Sequence, residues 1–175
     1  MSPIVETRRL EMRKLTADDI DLLHQLTGDR EVMKFFPHVL SYDETRQMLD
    51  KILDHYERHG HCFWKVLLKT SGDFIGIAGL LHQEIDGEAE TEISYRIRRE
   101  YWNNGYATEA AHACKEYGEG TLGKKRLISL ILPRNNASRR VAEKLGARKA
   151  TSIIFMEEEH DVYCYYWGSA PPPQA

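Results

Sequence analysis

Two hydrophobic periods alternate along this chain, and the points where one gives way to the other mark its elements. Arg9-Leu-Glu-Met-Arg-Lys-Leu15 alternates apolar and polar positions, which predicts a first strand. Thr16-Ala-Asp-Asp19 reads as a cap with acidic residues in the first turn, and Ile20, Leu22, Leu23 and Leu26 continue a helix behind it. Residues 31–36 predict a short helix stopped by Pro37. Ser41-Tyr-Asp-Glu44 has the capping-box pattern, Met48, Leu49, Ile52, Leu53 and Tyr56 form an apolar stripe, and Gly60 ends the helix. Strands follow at 62–68, 74–82 and 91–97, with turns at Ser71-Gly72-Asp73 and Asp86-Gly87.

From Gly105 the period becomes helical, with Ala107, Ala110, Ala111 and Cys114 on one face and a loose end at Gly118, Gly120 and Gly123. Leu127-Ile-Ser-Leu-Ile-Leu132 is nearly all apolar, as a strand buried on both faces requires, and Pro133 stops it. Asn135 or Asn136 caps a short helix running to Leu145, closed by Gly146. Two β-rich segments, 149–156 and 162–167, are joined by Glu157-Glu-Glu-His-Asp161, read as a solvated turn. The order predicts an α+β domain with helices on both sides of a central sheet. One domain over residues 5–168 and a frayed tail over 169–175 are expected.

Composition narrows the classes. The 175 residues are 42% hydrophobic and 29% charged, and no apolar run is long enough for a membrane span, so a soluble cytoplasmic protein is expected. The net charge of −3 argues against a broad nucleic-acid surface. Cys62, Cys114 and Cys164 are odd in number and far apart, which predicts buried free thiols. His55 and His59 stand four apart near His61 and Cys62, yet no further ligand completes a metal set, and no metal is expected. Tyr163, Tyr165, Tyr166 and Trp167 belong to a dimer edge or to a buried face, so a monomer or a homodimer is expected.

The segment Arg99-Glu-Tyr-Trp-Asn-Asn-Gly-Tyr-Ala-Thr-Glu-Ala-Ala111 carries the chemistry. A strand that breaks into a loop with small residues and then opens a helix presents bare backbone N–H groups to a phosphate. A diphosphate-bearing cofactor is therefore the leading reading. A dinucleotide-binding fold is a poor fit, because no three-glycine fingerprint occurs and no parallel strand–helix–strand unit opens the chain.

Taken with the strand before it, Glu92-Ile-Ser-Tyr-Arg-Ile97, this segment resembles the cofactor motif of the GNAT superfamily of acetyl-CoA N-acetyltransferases. Asn135-Asn-Ala-Ser-Arg-Arg-Val-Ala-Glu-Lys-Leu-Gly146 resembles that superfamily's second motif. Glu6-Thr-Arg-Arg-Leu-Glu-Met-Arg13 is similar to the first strand of the branch that acetylates N-termini of ribosomal proteins. The resemblance implies a mostly antiparallel, splayed sheet flanked by helices. It also implies transfer of an acetyl group from acetyl-CoA to a primary amine, either a protein N-terminus or a small amine. The alternative is a non-catalytic acetyl-CoA-binding regulatory domain.

The resemblance also assigns roles. Trp102, Gly105 and Ala107 fall on the phosphate loop, Trp102 standing where Arg or Gln is usual. Backbone amides from Asn104 through Gly105, Tyr106, Ala107 and Thr108 would hold the pyrophosphate, and Ile97-Arg98-Arg99 would pair with the pantetheine arm. Asn135 would contact that arm, and Arg139 or Arg140 the 3′-phosphate. A backbone N–H near Ile97 would meet the oxyanion. The tyrosine acid of many members is replaced here by Ala142, leaving Ser138 as the candidate acid. Glu92 is the candidate base. Glu109 is disfavoured, because a carboxylate beside a pyrophosphate repels it.

Overall fold

Alternating apolar residues need a partner strand on each side, and here eight strands join into one sheet. The computed structural model describes residues 2–167, so the tail expected at 169–175 lies outside the described residues. The strands are β1 (Val5–Glu6), β2 (Leu10–Lys14), β3 (Phe63–Leu68), β4 (Phe74–Ile85), β5 (Glu88–Ile97), β6 (Arg126–Ile131), β7 (Arg148–Phe155) and β8 (Glu158–Tyr166). The helices are α1 (Ile20–Thr27), α2 (Tyr42–His59), α3 (Tyr106–Gly120) and α4 (Asn136–Lys144). The sheet order is β1-β2-β3-β4-β5-β6-β8-β7, and each neighbouring pair is antiparallel except β5 and β6. This is a mostly antiparallel α+β sheet with helices, of the kind that the resemblance implied.

Local signals explain most boundaries. Ser41 accepts a bond from the Glu44 N–H (3.2 Å) and the Glu44 carboxylate returns one from the Ser41 N–H (2.8 Å), fixing the start of α2. The Asp19 carboxylate accepts from the Thr16 N–H at 2.7 Å and is paired with Lys65 of β3, so the entry to α1 is tied to the sheet. Trp64, Leu10, Met12, Leu23, Ile77, Leu80 and Tyr165 are fully buried. Each large aliphatic removed from water in this way stabilises the fold by about 2 kcal/mol. The three cysteines are free and buried, as expected.

Two expectations change, and one open alternative is decided. Residues 31–36 form turns rather than a helix. The Asp29 carboxylate accepts from the N–H groups of Glu31 (2.7 Å) and Val32 (3.1 Å), and Pro37 leaves too few residues to propagate a helix. The acidic connection is also shorter than expected. The turn is Met156-Glu157, both with positive φ (50° and 66°), and Glu158 through Asp161 are strand residues of β8. Ion pairs of Glu158 with Arg134 (3.1 Å) and of Asp161 with Lys149 (2.7 Å) hold that strand. Finally, Tyr163 and Tyr165 are buried, and Trp167 donates from Nε1 to the Lys124 carbonyl at 2.8 Å. The C-terminal aromatics therefore serve the core and do not form an exposed edge.

Candidate active site

The site begins where β5 and β6 stop pairing. β4 and β5 keep continuous register from Gly76↔Ile97 to Ile85↔Glu88, whereas β5 and β6 meet at the single pair Glu92↔Ile128. Beyond it a side chain replaces the ladder: the Ser129 hydroxyl donates to the Ile93 carbonyl at 2.9 Å and shares a 3.1 Å bond with the Tyr165 hydroxyl. The Arg98 N–H bonds the Ile75 carbonyl at 2.8 Å, so Arg98 turns its backbone to β4. Strand alternation then turns the backbone of Ile97 and Tyr95 to the other side, into the gap. Trp102 Nε1 donates to the Ile97 carbonyl at 2.7 Å. The Ile97 N–H and the N–H and C=O of Tyr95 therefore face a cavity of about 660 Å³.

One end of that cavity is the start of α3. Gly105 is its N-cap with φ +78°, and Asn103 is also left-handed at +61°. The first N–H groups of a helix have no intrahelical partner, and a glycine keeps the approach to them open. The loop is braced from outside. The Asn104 side-chain amide donates to the carbonyls of Tyr101 (3.2 Å) and Trp102 (2.8 Å). Arg9 lies over the Tyr106 ring (4.5 Å), donates to the Asn104 carbonyl (3.0 Å) and pairs with Glu109 (2.6 Å). Burial alone would raise the Glu109 carboxyl. Bonds from the Thr7 hydroxyl (2.5 Å), the Arg9 N–H (2.9 Å) and the Arg9 guanidinium win, and hold it below the ordinary value. Glu109 is therefore a clamp between the β1–β2 hairpin and the loop, which explains a carboxylate at this helix start.

Glu92 stands at the fork itself, 8% exposed. It accepts from Gln83 Nε2 at 2.7 Å and from the Leu130 N–H at 3.5 Å. Burial pushes its carboxyl up to about 7, with Gln83, Leu130 and Arg96 offsetting part of the rise. Across the gap, Asn135 caps α4 by accepting from the Ser138 N–H at 3.2 Å, and both residues line the cavity. The Tyr95 hydroxyl donates to the Ser138 carbonyl at 3.5 Å, and burial raises its pKa to about 12.

Of the residues singled out from the sequence, Glu92, Ile97, Gly105, Tyr106, Ala107, Thr108, Asn135 and Ser138 converge on this cavity. Others are turned away from it. The Arg98 guanidinium bonds the Phe74 carbonyl (3.1 Å) and pairs with Glu100. Arg99 is exposed on a short 3₁₀ turn, and Asn104, singled out for its backbone N–H, does not line the cavity and spends its side-chain amide within its own loop. Arg139 is exposed and lies 3.9 Å from Glu143 one helical turn on, while its neighbour Arg140 lines the cavity. A helix turns 100° per residue, so adjacent arginines cannot share a face.

Sequence reasoning missed Tyr95 and Arg96, and it left the acceptor loops unread. Phe35, Phe36 and Pro37 from the α1–α2 connection, and Phe155, Met156 and His160 from the β7–β8 hairpin, close the cavity from two distant segments. The histidines form a separate group: His59 stacks on His82 with ring centroids 4.2 Å apart and lies 5.2 Å from His55. Among the described residues, no three His, Cys, Asp or Glu side chains converge on a metal-sized site.

The family comparison decides what kind of site this is. The family model for the acetyltransferase (GNAT) domain matches residues 9–148. The chain belongs to the GNAT acetyltransferase family. Two Bacillus subtilis (strain 168) proteins resemble it over most of their length. The uncharacterized protein YkkB is 33% identical over 84% of this chain and 86% of its own. The uncharacterized N-acetyltransferase YnaD is 31% identical over 83% and 82%. A solved GNAT-family acetyltransferase from Bacillus anthracis superposes with a TM-score of 0.77 at 27% identity, covering 93% of this chain and 97% of that one.

A GNAT domain uses acetyl-CoA, and the residues present here fit that group. The left-handed glycine opens a helix start to a pyrophosphate, and the parted strands leave backbone groups for an amide-bearing arm. The enzyme class is thus an acetyl-CoA-dependent N-acetyltransferase. No helix among the described residues is long and apolar enough to cross a membrane.

Proposed function

We propose that this chain acetylates a primary amine by direct attack within a ternary complex, with Glu92 as general base. The observation that carries this reading is Glu92 at the fork of β5 and β6, buried, with its carboxyl near 7. A base of that strength is matched to neutral pH. The N–H groups at Gly105, Tyr106, Ala107 and Thr108 hold the pyrophosphate, and Ile97 and Tyr95 pair with the pantetheine arm. Asn135 and Ser138 flank the thiol end. Arg140 and Lys144, which face the cavity, replace Arg98, Arg99 and Arg139 as the side-chain cations available to the cofactor.

Acetyl-CoA supplies the activated acetyl group. The acceptor attacks as the neutral amine: Glu92 takes the proton its nitrogen sheds as the C–N bond forms, the C–S bond breaks, and the departing thiolate takes up a proton. Ser138 is the hydroxyl placed to give that proton. Tyr95, held protonated by burial, steadies the start of α4 through its bond to the Ser138 carbonyl. The acceptor is a small amine or a protein N-terminus.

Calorimetric titration with acetyl-CoA, with dephospho-CoA and ADP as controls, tests the reading. Micromolar binding to the wild type and a loss of about 100-fold or more in Gly105→Glu are expected, since the new carboxylate meets the pyrophosphate. No binding to the wild type overturns the reading. Tight binding with no turnover across a broad amine panel overturns the catalytic part and leaves a regulatory acetyl-CoA sensor.

A further inference from the structure

The acceptor side of the cavity holds a cation with no counter-ion. Arg96 lies on the same face of β5 as Glu92 and Ser94 and lines the cavity. Its guanidinium is stacked 3.9 Å above the Phe36 ring and faces Phe63 at 5.8 Å. Its Nη1 meets only the sulfurs of Met33 (3.8 Å) and Met48 (3.7 Å), which are weak acceptors, and Nε is buried with no partner. No oxygen among the described residues accepts a hydrogen bond from this side chain. Glu92 attracts it only from beyond ion-pair distance.

A guanidinium carries five N–H donors and keeps its charge at neutral pH even where burial lowers its pKa to about 10, as here. A buried charge left without a partner is costly, and a chain of this kind gains stability by replacing it with an apolar residue. The neighbouring arginines of the strand end show the contrast: Arg98 has both a carbonyl and a carboxylate. Arg96 instead lies in the wall of the cavity, stacked on Phe36 of the α1–α2 connection, with donors that no oxygen among the described residues meets.

We propose that Arg96 binds an anionic group on the acceptor, so that the substrate is a small amine bearing a carboxylate or a phosphate. The planar fork matches either oxyanion in a bidentate pair. The inference rests on the transferase reading and adds the substrate class. Glu92 and Arg96 are four residues apart on one strand face, about 13 Å between Cα atoms. Long side chains shorten that span, so amine and anion sit several bonds apart on the acceptor.

The test is steady-state acetylation of matched pairs by the full chain: glycine, 4-aminobutyrate and 6-aminohexanoate, their aminoalkyl phosphate counterparts, and the alkylamines and spermidine that lack an anion. The wild type is expected to favour an anion-bearing amine by roughly 10- to 100-fold in kcat/KM. The carboxylate and phosphate arms tell the two anions apart. Arg96→Gln is expected to collapse that preference through KM, and Arg96→Lys to restore part of it. Wild-type preference for neutral or cationic amines overturns the anchor without any variant. So does a preference for an anion that survives Arg96→Gln, or acetylation confined to peptide N-termini. Acetyl-CoA binding without acetylation of any amine overturns the transferase reading and the anchor with it.

Discussion

The two edges of β5 are the same backbone treated in opposite ways. Toward β4 the ladder is unbroken and the strands lie so close that a glycine is needed: a Cβ at Gly76 of β4 would stand 2.2 Å from the Arg96 carbonyl oxygen of β5. Toward β6 the ladder ends after one pair, and the next carbonyl is satisfied by the Ser129 hydroxyl. One edge gives rigidity and the other gives binding groups. The closed edge holds the open one in place, since backbone N–H groups bind a ligand well only if they do not have to move.

Substitutions at the two edges should therefore fail in different ways. The largest effect is expected at the fork. Glu92→Gln removes the base and should lower kcat by 10²- to 10⁴-fold while acetyl-CoA affinity holds. In the wild type kcat/KM should rise with pH through about 7, as the carboxyl loses its proton, and that limb should vanish in the variant. The stability sign runs the other way. The folded carboxyl keeps its proton to about 7, against 4.5 ordinarily, so its contribution is fully present below about 4.5 and lost as pH rises through 7. Thermal melts at pH 8 should show Glu92→Gln at least as stable as the wild type. A variant that melts early would mean that Glu92 is structural.

The closed edge should respond with stability alone. Gly76→Ala drives a methyl group into the β5 backbone and should cost about 3 kcal/mol or more in urea unfolding. Any fraction that stays folded should keep its kcat. A folded variant with normal stability and impaired turnover would erase the distinction between the edges.

The smallest effect is expected at Tyr95, whose backbone belongs to the open edge and whose hydroxyl reaches α4. Tyr95→Phe removes the 3.5 Å bond to the Ser138 carbonyl and should lower kcat by about 5-fold, the loss of one neutral hydrogen bond that steadies the start of α4, with the fold intact. An unchanged kcat would mean that α4 holds Ser138 in place without it.

The cofactor half was legible in the sequence because each of its features is local. Gly105 before a helix, Asn135 three residues before Ser138 and Glu92 within one strand are readable from neighbours a few positions apart. Side-chain direction was less so. Arg98 and Arg99 were read as part of the strand end that meets the pantetheine arm and Arg139 as a 3′-phosphate ligand, yet the Arg98 and Arg139 side chains turn to other partners and Arg99 is exposed. Tyr95 was read past because its neighbours on the strand mark a core face.

The sequence by itself determined the order of most elements, the fold family, the glycine that opens α3 and the carboxylate at the fork, since periodicity and capping act over a few residues. The tertiary structure decided the rest. It brought Thr7 and Arg9 to clamp Glu109 about a hundred residues away. It also closed the acceptor side with two loops that meet only in space. And it left Arg96 beneath Phe36 without an oxygen to bind. Long-range contacts of this kind depend on how the elements pack, which no local pattern encodes.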